Sequence, residues 1–256
     1  MKTIAVIPSR MSATRLPNKP MLKIAGIPMI EHVYYRTKLS KRVDITCVAT
    51  CDKVIFDHIE SIGGMAIMTS RKHQRATDRT AEAIKKLSMK IKNIHYVAMI
   101  QGDEPLVSPK QIDYALKVIQ SNRKINIVNL MGKLKNHSEF NDHNEVKVVT
   151  DLYNNALYFS REPIPSAWKK NKNIRMMKQT GLIFFKKDYL LYFDKLKETP
   201  LEKIESVDMM RVLENGDKIK MVETSGELLG IDSMKDLKTV RIKMKKDLLI
   251  KHYLNK

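Results

Sequence analysis

The chain has 256 residues, 43% of them hydrophobic, with two cysteines and a formal net charge of +19. This length and apolar content build a substantial core and exclude a disordered tail, and no apolar run reaches the ~18 residues of a membrane helix. Two thiols without a histidine at zinc-ligand spacing give neither a disulfide framework nor a zinc site, and cations spread along the whole chain beside only 6% aromatics do not form the concentrated basic, stacking face of a nucleic-acid binder.

The first element is "TIAVIP", an apolar run ended by Pro8 that reads as a buried parallel strand. It is too short for the apolar core of a signal peptide, so a cytoplasmic protein is expected. A basic loop, "SRMSATRLPNKP", follows, then a helix opening near Pro28 with Met29, Ile30, Val33 and Tyr34 at helical spacing. "DITCVAT" is a second buried strand, "CDKVIFDHIESIG" a second helix closed by Gly63 and Gly64, and "MAIMTS" a third strand. "DRTAEAIKKLSMKI" is a third helix, and "HYVAMIQGDEPL" a fourth strand that opens into a loop. Alternating strand and helix through residue 105 predicts βαβ units, and so an α/β fold with an open, mostly parallel sheet and helices on both faces.

"SPKQIDYALKVIQSN" continues as a helix with Ser108 at its cap and Pro109 at its first position. Beyond the strand "INIVNLMG" the pattern is mixed: "EVKVVT", "NALYFSR" and "TGLIFFKKDYLLYF", then "PLEKIESVDMMRVLENG" as one helix, "KIKMVET", and a C-terminal amphipathic helix. No linker or repeat divides the chain. One domain over 1–256 is expected, with a nucleotide-binding core at 1–125, a mixed strand region at about 126–200, and a C-terminal part at 201–256.

In open α/β sheets, ligands bind at the carboxyl ends of the strands. Three polar clusters fall there: the basic loop after the first strand, "SRKHQRATDR" after the third and "QGDEP" after the fourth. Arg10, Arg15 and Lys19 of the basic loop have the charge to surround a triphosphate, or they form a plain solvated turn. No G-x-x-x-x-G-K-[ST] is present, so this is not a P-loop of the usual kind. Asp103 in "QGDEP", with Glu104 as a spare, suits Mg²⁺, which takes one or two carboxylates together with substrate phosphates. Asp232 in "GIDSMKDL" is either the second such ligand or a helix N-cap. Arg79 and Arg161 can each grip a carboxylate or serve a surface ion pair.

Taken in order, these stretches resemble the cytidylyltransferases that activate 3-deoxy-manno-octulosonate (KDO). The resemblance covers nearly the whole chain and is carried by "IPSRMSATRLPNKPMLKIAGIPMIEHV", "VATCD", "HQRATDR", "QGDEPLV", "EVKVVTD", "ALYFSREPIP", "PLEKIESVDMMRVLENGDKIKM" and "GIDSMKDL". It implies a homodimeric enzyme of Rossmann-like nucleotidyltransferase fold that joins CTP and an acidic sugar, with Mg²⁺, into a CMP-sugar and pyrophosphate. It implies that the 126–200 region serves acceptor binding and dimerisation. Arg10, Arg15 and Lys19 match the loop on the CTP phosphates; Arg75, Ala76 and Gln101 match nucleotide-binding positions. Asp103 and Asp232 match the metal ligands, and Arg79, Gln101, Arg161, Gln179, Ile183, Glu205 and Met209 match acceptor-side positions.

The chain departs from the family pattern on that acceptor side. Where the family reads Ser-Gly-Thr it has Arg75, Ala76 and Thr77. Gln179 stands for a histidine, Ile183 for a tyrosine and Met209 for a glutamine. The nucleotide and metal positions keep the pattern, so the expected reaction is cytidylyl transfer to KDO or to another acidic acceptor, such as a modified ulosonic acid or a small phosphonate.

Overall fold

The computed structural model describes residues 1–12, 16–168, 174–224 and 229–254. The first apolar run is β1 (Lys2–Ser9). It is bordered by parallel partners on both sides, β4 (Ile45–Thr50) and β6 (Ile94–Ile100), which is why it carries no polar alternation. β5 (Met65–Met68) continues the parallel edge beyond β4. On the other side β10 (Met177–Lys186) enters antiparallel between β6 and β7 (Ile127–Lys133), and β11 (Lys220–Glu223) lies parallel to β7. The order is β11-β7-β10-β6-β1-β4-β5, an open and mostly parallel sheet. β8 (Lys147–Thr150) and β9 (Ala156–Ser160) form an antiparallel pair joined to β10 through Lys147 opposite Lys178. A two-residue ladder, β2 (Lys23–Ile24) with β3 (Ile27–Pro28), stands apart.

Alternate residues of β1 feed two cores. Ala5 and Ile7 face α1 (Met29–Lys38), α2 (Lys53–Ser61) and α4 (Pro109–Ser121), where Ile30, Val33, Ile59 and Ile112 are buried. Ile4 and Val6 face α3 (Ala76–Lys90), α6 (Lys187–Phe193) and α8 (Met210–Glu214), where Ile84, Phe193 and Val212 are buried. Ser108 caps α4 through a reciprocal pair with Gln111, as the sequence predicted. α5 (His137–Phe140) is a single turn capped by Asn136.

Cys47 lies fully buried in β4, and burial pushes its thiol up to about 12. Near pH 8 only about 10⁻⁴ of it is thiolate, the reactive form. A thiol reagent should therefore label one cysteine per native chain, the half-buried Cys51, and two after denaturation. Two rapid labels on the native protein would contradict this packing.

Two sequence expectations are corrected. The stretch from Pro200 is not one helix: α7 (Pro200–Glu205) ends on Ser206 in a left-handed conformation (φ 53), and α8 starts at Met210. The break is held from outside, because Arg75 donates to both the carbonyl and the hydroxyl of Ser206. The C-terminal helix is also divided. α9 (Met234–Met244) ends before Asp247, which caps a short 3₁₀ turn, and α10 (Lys251–Leu254) follows.

Candidate active site

The carboxyl ends of β1 and β6 are neighbours, and at Gly102 they approach so closely that a methyl group would lie 3.0 Å from the Pro8 carbonyl oxygen. A cleft of about 330 Å³ opens there. The loop after β1 contributes Arg10 and Lys19, the entry to α3 contributes Arg75, Ala76 and Arg79, the end of β6 contributes Gln101 and Asp103, and the C-terminal segment contributes Asp232. The topology thus gathers these residues from the length of the chain into one wall. Arg15 lies outside the described residues. Asp52 anchors the loop by accepting from the Met11 N–H at 2.8 Å.

The Lys19 ammonium sits between two carboxylates, 2.7 Å from Asp103 Oδ2 and 3.1 Å from Asp232 Oδ1. Burial works against its charge, but Asp103 and Asp232 outweigh burial and hold its pKa above the ordinary lysine value. The two carboxylates are also tied through the backbone, since the Ile231 N–H donates to the Asp103 carbonyl at 3.0 Å. Asp232 is not the cap of α9. Ser233 fills that position in a capping box with Asp236, which leaves the Asp232 carboxylate turned to Lys19. Among the described residues no three His, Cys, Asp or Glu side chains are grouped to hold a metal by themselves. Two carboxylates close enough to share one ammonium are, however, the donor set that magnesium uses when phosphates complete its shell. Glu104 does not join them. Burial first, then the neighbouring Asp103, pushes its carboxyl up to about 8, so near neutral pH it is mostly the uncharged acid.

Asp232 owes its place to the C-terminal arm. Ile231, Leu237, Val240 and Met244 bury against Leu16, Ile24 and Met29, beside the Lys19 loop. Arg36 pairs with Asp247 at 2.5 Å, and Tyr253 stacks on Tyr35. His32 is fully buried: its Nε2–H donates to the Ile24 carbonyl (2.7 Å), a group that can only accept, so Nδ1 accepts from the Tyr253 hydroxyl (2.9 Å). Burial is the main force lowering the His32 pKa, with Arg36 adding to it against the Ile24 bond and Asp247. An arm that opens exposes a ring titrating near 6.5, which takes up a proton that the docked ring refuses. Docking should therefore weaken as pH falls below about 6.5. Hydrogen exchange in residues 229–254, corrected for intrinsic rates, is expected to quicken relative to β1 between about pH 7.5 and 5.5. Equal ratios at both values would contradict this coupling of arm docking to the neutral His32 ring.

Arg79 is buried beneath the cleft and donates to Thr69 Oγ1. Arg161 and Glu205 meet at the end of β9. The Glu205 carboxylate accepts from Ser160, Tyr158 and the Arg161 N–H, while the Arg161 guanidinium donates to the carbonyls of Glu205 and His143. Gln179 donates to Asn129 Oδ1 at 2.7 Å. Ile183 of β10 and Met209, 2% and 0% exposed, lie in the same core cluster, so the structure does not bring them to the cleft surface.

Sequence reasoning left out three contributors. Glu82 pins the loop before α3 through Ser70 and His73, and Thr77 bonds Asp208 across to the α7–α8 break. Buried Asn129 supports the turn of β10 beside Gln101. Thr77 and Asn129 act between distant segments, and Glu82 reaches back 12 and 9 residues across a loop, so no helical or strand spacing announced them. A larger groove of about 590 Å³ opens at the amino end of β6, lined by Tyr96, Lys186, Tyr189 and others. Tyr189 and Lys186 are engaged there by Asp217 and Asn126, and among the described residues none of the predicted site residues lines it.

The solved structure of CMP:2-keto-3-deoxy-manno-octonic acid synthetase complexed with CTP superposes on this chain with a TM-score of 0.88 at 32% identity, covering 97% of this chain and all of that one. The 3-deoxy-manno-octulosonate cytidylyltransferases of Fusobacterium nucleatum and Thermodesulfovibrio yellowstonii are 41% and 42% identical to it, over 94% and 93% of this chain and 96% of each relative. The family model described as cytidylyltransferase matches residues 4–219. With sequence and fold in agreement over nearly the full length, the chain belongs to the cytidylyltransferase family and is a CTP-dependent nucleotidyltransferase.

Proposed function

We propose that this enzyme transfers the cytidylyl group of CTP to KDO, releasing pyrophosphate, in the cytoplasm and as a homodimer. The observation that carries the reading is the Lys19 ammonium clamped by Asp103 and Asp232 in a cleft that also holds Arg10, Arg75 and Gln101. Relatives this similar are named for that reaction. The exposed Leu152, Tyr153 and Leu157, in and just after the β8–β9 turn, support the dimer, because several exposed apolar side chains on one short stretch favour a covered face.

In this reading the 2-hydroxyl of the sugar acid attacks the α-phosphorus. Its oxygen–phosphorus bond forms as the bond from the α-phosphorus to the oxygen bridging to the β-phosphate breaks, the hydroxyl proton passes to solvent water, and pyrophosphate leaves with the electron pair of the broken bond. Arg10 and Lys19 offset the triphosphate charge. Arg75 and Gln101 fix the nucleotide beside the first turn of α3. Asp103 and Asp232 would hold Mg²⁺, which supplies charge neutralisation at the phosphates when bound. Positioning and charge stabilisation supply most of the rate in such transfers.

A second reading keeps the reaction and changes the acceptor to an amino- or deoxy-substituted ulosonic acid or a small phosphonate. What favours it is the departure from the family pattern at Gln179, Ile183 and Met209, where histidine, tyrosine and glutamine are replaced, two of them by apolar residues withdrawn into the core, because each acceptor hydroxyl left unpaired on burial costs about 1–3 kcal/mol. Pyrophosphate release with CTP across these acceptors decides between the two. Turnover of KDO in the ordinary enzyme range of about 1–10³ per second supports the first; turnover of a substituted acid alone supports the second. No release with any of them would overturn both.

A further inference from the structure

The strand stretch "QTGLIFF" places a glycine in β10 where a buried strand normally favours a β-branched residue. Along β10 the register against β7 slips: Gln179 faces Met131, and Ile183 faces Asn129. Residues 180–182 therefore bulge, with their carbonyls partly stripped of ladder partners. Asn129, fully buried in β7, repairs this. Its side-chain amide donates to the carbonyls of Thr180 and Leu182, both at 3.0 Å.

The crown of the bulge is Gly181, and it presses on the cleft. Its carbonyl accepts the Gln101 N–H at 3.1 Å. A methyl group at position 181 would lie 2.6 Å from Gln101 Cδ, 2.6 Å from Oε1 and 2.7 Å from Cγ. Every one of these contacts is to the Gln101 side chain. Gly181 also lies outside the left-handed backbone region, so an alanine there meets no backbone strain. The space left by the missing Cβ is the space that the Gln101 carboxamide occupies.

We propose that Gly181, held in its bulge by Asn129, is a positioning residue whose missing side chain seats Gln101 in the cleft. Gly181 touches no reacting atom; it acts through Gln101. The activity arm of the test rests on the cytidylyl-transfer reading above, and the thermal arm does not.

The experiment is a double-mutant cycle with Gly181→Ala, Gln101→Ala and the pair, read by Tm and by kcat/KM with CTP and acceptor. In the wild-type background Gly181→Ala should lower Tm by about 3–8 °C, the range for overpacking in a chain of this size. It should also lower kcat/KM by about a hundredfold through misplacement of Gln101. In the Gln101→Ala background, which removes all three clashing atoms, the same change should move Tm by less than about 1 °C and leave kcat/KM unchanged. Equal Tm losses in both backgrounds would overturn the seat. A coupled Tm with full activity in Gly181→Ala would overturn the positioning role. If no variant and no wild type turned over CTP, the Tm cycle alone would still uphold or overturn the seat, while the functional reading would fall by itself.

Discussion

Asp103→Asn is expected to lower kcat/KM about 10²–10³-fold while leaving the fold intact. The carboxamide keeps the shape of the side chain, so the backbone tie from Ile231 and the packing of Gly102 on Pro8 survive. What it loses is one of the two negative charges that hold Lys19 and that would hold Mg²⁺. Excess magnesium should restore activity only weakly, because the lost ligand is covalently absent. Asp232→Asn should behave alike, since it removes the opposite half of the same pair. Steady-state kinetics over a magnesium series, with circular dichroism to confirm folding, measures both. Full activity with an unaltered magnesium dependence in Asp232→Asn would reduce Asp232 to an ion-pair partner of Lys19.

The largest stability effect is expected at Glu202. Its carboxylate is wholly buried and holds Arg211 with two bonds of 2.6 and 2.7 Å. Arg211 also stands over the Phe193 ring at 4.5 Å and donates to the Leu196 carbonyl. Glu202→Ala takes from the buried guanidinium the carboxylate that holds it with two hydrogen bonds, leaving only the more distant Asp78 and Asp208, which costs about 3–5 kcal/mol. For a chain of this length that is a Tm loss of about 6–20 °C. Because this pair fastens α7 to α8, the loss should spread to Glu205 and to the Ser206 contact with Arg75, raising KM as well. Thermal denaturation measures the first effect. A Tm within about 2 °C of wild type would show that the pair is nearly neutral.

The parallel half of the fold was legible because each strand is buried on both faces and reads as an apolar run closed by a turn residue, as in "TIAVIP" and "DITCVAT". The same rule exposed the cleft, since Arg10, Lys19, Gln101 and Asp103 all follow such strands. Asp232 was open between ligand and cap, because Ser233 beside it is as good a cap and only the fold decides which residue takes the position. The α7–α8 break was not legible. Its residues form a good helical pattern, and the left-handed Ser206 is stabilised by Arg75 and Arg161 from distant segments. The acceptor side was legible only as a departure from a pattern. Its geometry depends on the β10 bulge, a two-strand property that no single stretch encodes.

If CTP reacts in the cleft at the carboxyl ends of β1 and β6, crystals of the enzyme soaked with CTP and Mg²⁺ will show the triphosphate beside Arg10 and Lys19, a cation on Asp103 and Asp232, and Lys19 moved off at least one of those carboxylates towards phosphate. Nucleotide density in the groove at the amino end of β6, or in the cleft with Asp103 and Asp232 still closed on Lys19, would contradict it.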